Sequence, residues 1–146
     1  MNAIAPFRRA LDLHILDACI LQVTDAPRAE RSLDVEIYRA LGWRVARTQG
    51  LRGQAWRCCS PIAATWQPLP LPTEDRHAAS LLFPPGWSWS IGVRRGHPYA
   101  WCAERGDIVP GVLWAEANHL TVELAAVKAA LYGHRAMTLR ALERRA

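Results

Sequence analysis

Residues 87–94 read Trp-Ser-Trp-Ser-Ile-Gly-Val-Arg. Large apolar side chains fall on every second position, with small or polar ones between them. A strand sends alternate side chains to opposite faces, whereas a helix would scatter these four around its circumference. Pro84-Pro85-Gly86 precedes the run and Arg95-Gly96-His97-Pro98 follows it, and both are turn-forming. Tyr99, Trp101 and Ala103 then repeat the period of two, which predicts a returning strand. Trp87, Trp89, Tyr99 and Trp101 are expected on one aromatic face, more simply buried as core than exposed as a platform. The opposite face, with Ser88, Ser90, Gly92, Ala100 and Cys102, would be small enough to accept a helix closely.

A second hairpin is predicted from strands at 43–48 and 54–59, joined by Gln49-Gly50-Leu51-Arg52-Gly53. Leu41-Gly42-Trp43 and Pro85-Gly86-Trp87 both place Gly-Trp between a helix and a hairpin, a faint internal repeat. Helical spacing marks residues 7–22 through Phe7, Leu11, Ile15 and Ala18. It returns at Leu33, Ile37, Ala40 and Leu41, with Ser32 as expected N-cap and Gly42 as cap glycine. A third helix is expected from Thr73, with Glu74 and Asp75 in its first turn and Ala78, Leu81 and Leu82 on its apolar face. The last starts near Asn118, buries Leu120, Leu124, Val127 and Leu131, and ends or kinks at Gly133. Pro61 to Pro72, with four prolines, and residues 104–116 read as loops.

The order α-α-β-β-α-β-β-α predicts a single α+β domain over 1–146: a four-stranded, mainly antiparallel sheet packed with helices in a sandwich-like arrangement. Residues 1–31 form an accessory helix and connector, 32–132 the core, and 133–146 a basic tail. The 146 residues are 51% apolar, enough for one real core, which excludes a disordered chain. Arg8 and Arg9 precede an apolar stretch, but Asp12, His14 and Asp17 interrupt it, so a secretory signal is not expected. No run of 18 uncharged apolar residues suggests a membrane span. Cys19, Cys58, Cys59 and Cys102 have neither CxxC nor zinc spacing. Buried free thiols in a reducing cytosol are the expectation, and with them a cytoplasmic location.

Several of these segments together resemble the small prophage-encoded proteins with a phage ABA-sandwich domain. The matching pieces are LDVEIYRALGW at Leu33 to Trp43, Trp56 with Pro61, and the helix at 73–83 running into PPGWSWSIG. Tyr99-Ala100-Trp101 and AEANHLTVELAAVKAAL complete the set, and the resemblance covers residues 32–132. It implies an α/β sandwich and a cytoplasmic phage or prophage accessory role, with no established reaction, cofactor or catalytic residue. The helix at 7–22 is additional to that pattern, as a docking or dimerisation element would be. The start of the 73–83 helix, PTEDRH, is also more charged than the pattern leads one to expect.

Of 18 basic residues, Lys128 alone is a lysine, and there are 7 tryptophans. Residues 43–59 concentrate Arg44, Arg47, Arg52 and Arg57 with Trp43 and Trp56 and no acidic residue. Guanidinium forks suit phosphate or carboxylate, and indoles suit stacking. The simpler reading is a solvated hairpin whose tryptophans cover the core edge while the arginines snorkel. Arg94 and Arg95 extend the candidate binding set. Histidines 14, 77, 97, 119 and 134 are scattered; His119 with Glu123, or Asp75, His77, Glu104 and Asp107, match no metal or catalytic motif. No metal or cofactor is therefore expected. In the tail, Arg135, Arg140, Arg144 and Arg145 stand with Glu143, a clamp for an acidic partner or, more simply, helix-end or frayed basic residues.

The expected function is a non-enzymatic binding protein that docks on a host or phage protein, inhibition of a host defence system being one version. The alternative is a nucleic-acid-binding module using the 43–59 hairpin. Monomer and homodimer both remain open.

Overall fold

Asp12 sets where the first helix begins. Its carboxylate accepts the N–H groups of His14 and Ile15 at 2.9 and 3.2 Å, and α1 runs from Leu13 to Asp25. The expected helix at 7–22 is thus displaced toward the C-terminus, ending before Pro27. The computed structural model describes residues 11–50, 53–105 and 110–145. The first part of that expected helix, residues 7–10, lies outside them.

Helix α2, Arg31–Ala40, starts one residue before Ser32, so Ser32 is not its cap. The capping position falls to Glu30, whose side chain makes no capping bond. Its C-terminus closes as the sequence suggests. Gly42 takes φ +85°, Gly42 N–H donates to Arg39 O and Trp43 N–H to Tyr38 O, both at 3.0 Å. This double bond pattern brings Trp43 edge-on to Tyr38, ring centroids 5.1 Å apart.

Two three-stranded antiparallel sheets replace the expected four-stranded one. The first comprises β1 (Arg44–Gly50), β2 (Gly53–Cys59) and β3 (Trp66–Pro68), in that order. Strand β3 lies inside the proline-rich stretch read as loop. Pro68 is tolerated because β3 is an edge strand, so one side of its backbone needs no donor. The second sheet comprises β4 (Ser88–Arg94), β5 (His97–Ala103) and β6 (Trp114–Asn118). Strand β6 was hidden in the expected 104–116 loop because Ala115 and Ala117 carry little hydrophobic signal.

The register of the second sheet corrects the aromatic face. Arg95 (φ 52°) and Gly96 (φ 79°) form a two-residue turn of the kind that matches strand twist. An even turn pairs odd positions with even ones, so Trp89 faces Cys102 and Ser90 faces Trp101. Trp89 and Ile91 therefore share a face with Ala100 and Cys102. Tyr99 and Trp101 lie on the other face with Ser90, Gly92, Glu116 and Asn118.

The third helix is one short turn-and-a-half, α3 (Arg76–Ser80), capped by Asp75 rather than started by Thr73. Leu81, expected in its apolar face, is exposed, while Leu82 and Phe83 are buried. Helix α4 spans Val122–Glu143 with Thr121 as cap, its hydroxyl accepting Leu124 N–H at 3.1 Å. Leu120, placed in the buried stripe by spacing, lies before the helix and is 67% exposed. Helix α4 runs on through Gly133, so most of the expected tail is its second half.

The helices lie between the sheets. The first sheet packs on α2, α2 on α1, α1 on α4, and α4 on all three strands of the second sheet. One continuous buried cluster threads these layers, from Leu16, Cys19, Ile20 and Val23 of α1 to Leu124, Val127 and Leu131 of α4. All four cysteines are buried free thiols, and burial pushes Cys19 and Cys102 up to about 12. Among the described residues, no helix is long and apolar enough to cross a membrane.

His134 ties α4 to the turn after α3, its Nε2 2.8 Å from Leu82 O. Burial holds it below its ordinary 6.5, although the Leu82 bond favours the charged form. On acidification the unfolded chain takes up this proton first, so stability falls as the pH drops through about 6.5. The melting temperature of wild type should therefore drop between pH 7 and 5 more than that of His134→Gln. Parallel curves would remove His134 as the cause.

Candidate functional site

The structure separates the candidate residues into two groups. Arg44, Arg47, Arg57 and Trp56 lie on the first sheet, and Trp43 enters it. Arg94 and Arg95 lie at the β4–β5 turn of the second. Arg52 lies outside the described residues.

Register decides which of the first group meet. Arg44 pairs with Cys59, and Cys59 with Trp66; Arg57 pairs with Ala46 and with Pro68. Arg44, Arg57 and Trp66 thus share one face. The Arg44 guanidinium carbon stands 5.5 Å from the Trp66 ring centroid, and Arg57 Nη2 donates to Trp66 O at 3.1 Å. Arg44 Nη2 also reaches Cys59 Sγ at 3.5 Å. On the other face Arg47 pairs with Trp56 and lies 5.0 Å from its ring, while Arg39 of α2 reaches the same ring at 5.9 Å. Trp56 is half-buried against the core, as is Trp43, which closes α2. The snorkelling reading therefore fits Arg47 over Trp56. It does not fit Arg44 and Trp66, because Trp66 is 38% exposed.

Trp66 and Arg39 are the residues that sequence reasoning missed. Trp66 lies in the proline-rich stretch Pro61 to Pro72, whose composition reads as a loop. The available signal was charge: residues 37–73 contain Arg39, Arg44, Arg47, Arg52 and Arg57 and no carboxylate. The remainder of the chain balances 13 basic against 13 acidic residues, so the whole net charge of +5 belongs to this segment. Among the described residues, Arg44, Arg47 and Arg57 form no ion pair. Ile62, 77% exposed in the β2–β3 connection, and Leu71 add apolar surface beside them in sequence.

The second group differs. Arg94 Nη1 lies 3.2 Å from Tyr99 Oη and 3.9 Å from Glu116, and its guanidinium covers the Tyr99 ring at 5.2 Å. Tyr99 donates its hydroxyl to Glu116. Desolvation and that donation raise its pKa above the usual phenol range. Arg94 is thus internally neutralised, and Arg95 is an exposed turn residue.

The other constellations resolve into structural roles. His119 Nδ1 accepts Leu120 N–H at 2.7 Å and Nε2 meets Val23 O at 2.6 Å, so both ring nitrogens are engaged. Asp75 caps α3. Asp107 lies outside the described residues, among which no three His, Cys, Asp or Glu side chains gather as metal ligands would. Two of the four tail arginines are tied internally: Arg135 binds Asp17 and Arg140, in the last turn of α4, binds Glu104, each at 2.6 Å, while Arg144 and Arg145 are exposed beyond the helix end. Arg140 holds the Glu104 carboxyl below its ordinary range. Compared with protein-family models, curated proteins and solved structures, the chain matches none of them.

Proposed function

We propose that this chain is a non-enzymatic docking protein of phage or prophage type that grips an acidic protein surface with its first sheet. The observation that carries the docking reading is the carboxylate-free segment 37–73, with exposed Trp66 between Arg44 and Arg57. Tryptophan and arginine are the residue types that most often anchor interfaces, and cations with no carboxylate paired to them steer an acidic surface toward them. Exposed Ile62 and Leu71 favour a protein over a polyphosphate, which has little use for aliphatic contact. The phage setting, and inhibition of a host defence system as its purpose, rest on the sequence resemblance alone and are associational.

The test is retention of partners from a nuclease-treated bacterial lysate by the tagged protein. Wild type should retain a defined protein that the triple variant Arg44→Ala, Arg57→Ala, Trp66→Ala does not. With that partner purified, Trp66→Ala alone should weaken binding about 30-fold, the equivalent of about 2 kcal/mol. Loss of every partner on nuclease treatment, with oligonucleotide binding that weakens steeply in salt, would transfer the sheet to the nucleic-acid reading.

A further inference from the structure

Strand β6 ends the second sheet, and its outer edge has no strand beside it among the described residues. Backbone bonding identifies which groups that edge presents. Glu104 N–H donates to Leu113 O at 2.8 Å and His119 N–H to Pro98 O at 3.3 Å, so residues 113 and 119 turn toward β5. Antiparallel ladders alternate, so 115 and 117 also turn inward. The N–H and C=O groups of Trp114, Glu116 and Asn118 are then left on the outer edge. A groove of about 570 Å³ runs beside it, walled on the far side by Lys128, Tyr132, Arg135 and Leu139 of α4. These positions recur at helical spacing, so the wall follows the strand.

Charge decides what the groove fits. Arg135 is taken by Asp17, but Lys128 forms no ion pair among the described residues. Lys128 and Asn118 also line an adjoining cavity of about 470 Å³, which Asp25 enters from the α1 end. Glu116 points away from α4, held by Tyr99 and Arg94. A second copy pairing edge to edge, with all outward groups bonded, would centre on Glu116. It would set that carboxylate against its own copy and Lys128 against a second cationic wall, both repulsive.

We propose that this edge is a peptide-binding site that accepts an extended acidic segment as a fourth strand. The backbone of the segment bonds to Trp114, Glu116 and Asn118. Its carboxylates face Lys128, and its alternate apolar side chains lie beside Trp114, which is 46% exposed. This site is distinct from the arginine-bearing first sheet and does not depend on the docking reading given to it.

The probes are two end-capped heptapeptides, one alternating valine with glutamate and one alternating valine with lysine. Titrated into the full chain, the glutamate peptide should shift and protect the Glu116 and Asn118 amides in NMR. It should bind at least tenfold more tightly than the lysine peptide. Lys128→Glu should reverse that preference. Glu116→Pro, which removes an outward N–H together with the carboxylate held by Tyr99 and Arg94, should abolish binding without unpairing β6 from β5, whereas Glu116→Gln, which keeps the N–H, should bind as wild type does. Equal affinity for the two peptides, no amide shift at millimolar peptide, or concentration-dependent dimerisation that protects the same amides would overturn the proposal. Because Lys128→Glu lies on a half-exposed helix face, its outcome stands even if Glu116→Pro unfolds.

Discussion

Asp34→Ala should destabilise the chain by about 3 kcal/mol, which lowers the melting temperature by about 8–10 °C for a domain of this size. Asp34 is 1% exposed, and one of its oxygens accepts both Thr73 N–H (3.0 Å) and Thr73 Oγ1–H (2.8 Å). Its other oxygen lies 3.7 Å from Arg31, which itself donates to Leu69 O and Pro70 O. Alanine leaves the buried Thr73 N–H without a partner, leaves the Thr73 hydroxyl only the long contact to Glu30 O at 3.5 Å, and removes the carboxylate that orients Arg31. Asp34→Asn keeps one acceptor oxygen and should lose only about 1 kcal/mol. Calorimetry on the two variants checks this, and equal melting temperatures would refute the account. Burial raises the Asp34 pKa above its ordinary 3.8, against the lowering by Thr73 and Arg31. The folded chain therefore binds this proton before the unfolded chain does. Falling pH adds stability through Asp34 on the approach to 4, opposite in sign to His134.

Gly133→Val should be about as damaging, on the order of 3 kcal/mol. A Cβ at Gly133 would meet Cys102 Sγ at 3.0 Å and Pro84 Cγ at 3.2 Å. Both neighbours are buried, and a proline ring has little freedom to move. Alanine at 133 gains about 1 kcal/mol of helix propensity, which the same contacts offset. The diagnostic is a double-mutant cycle. Cys102→Ala should remove part of the contact penalty that offsets this gain in Gly133→Ala, so the two changes should be non-additive by about 1 kcal/mol. Additive changes would show that Cys102 is not the obstacle.

Much of the fold was legible where local chemistry is strong. The Gly42 cap, both hairpins and the Leu124, Val127 and Leu131 stripe follow from residues acting over a few positions. What was not legible depends on distant partners. Thr73 looks like a helix cap and instead serves Asp34, 39 residues away. Gly133 looks like a helix stop and is a place where a sheet and a turn approach α4. Strands β3 and β6 have weak intrinsic signals, one for its prolines and one for its alanines, and exist because β2 and β5 offer them edges. The candidate site followed the same rule. The arginines of 43–59 were visible as charge, but their grouping around Trp66 required the β2–β3 register.

The first sheet reaches the rest of the molecule through α2 and through the Asp34–Thr73 and Arg31–Leu69 bonds, while the second sheet is held along the whole of α4. The two therefore need not open together. Amides of β1 and β2 should exchange with solvent through a partial unfolding that leaves α4 and β5 protected, and Asp34→Ala should accelerate the former and spare the latter. Native-state hydrogen exchange reads this directly, and a single common rate across both sheets would contradict it. A surface carried on such a separable unit can reshape itself against a partner while the remaining core stays closed.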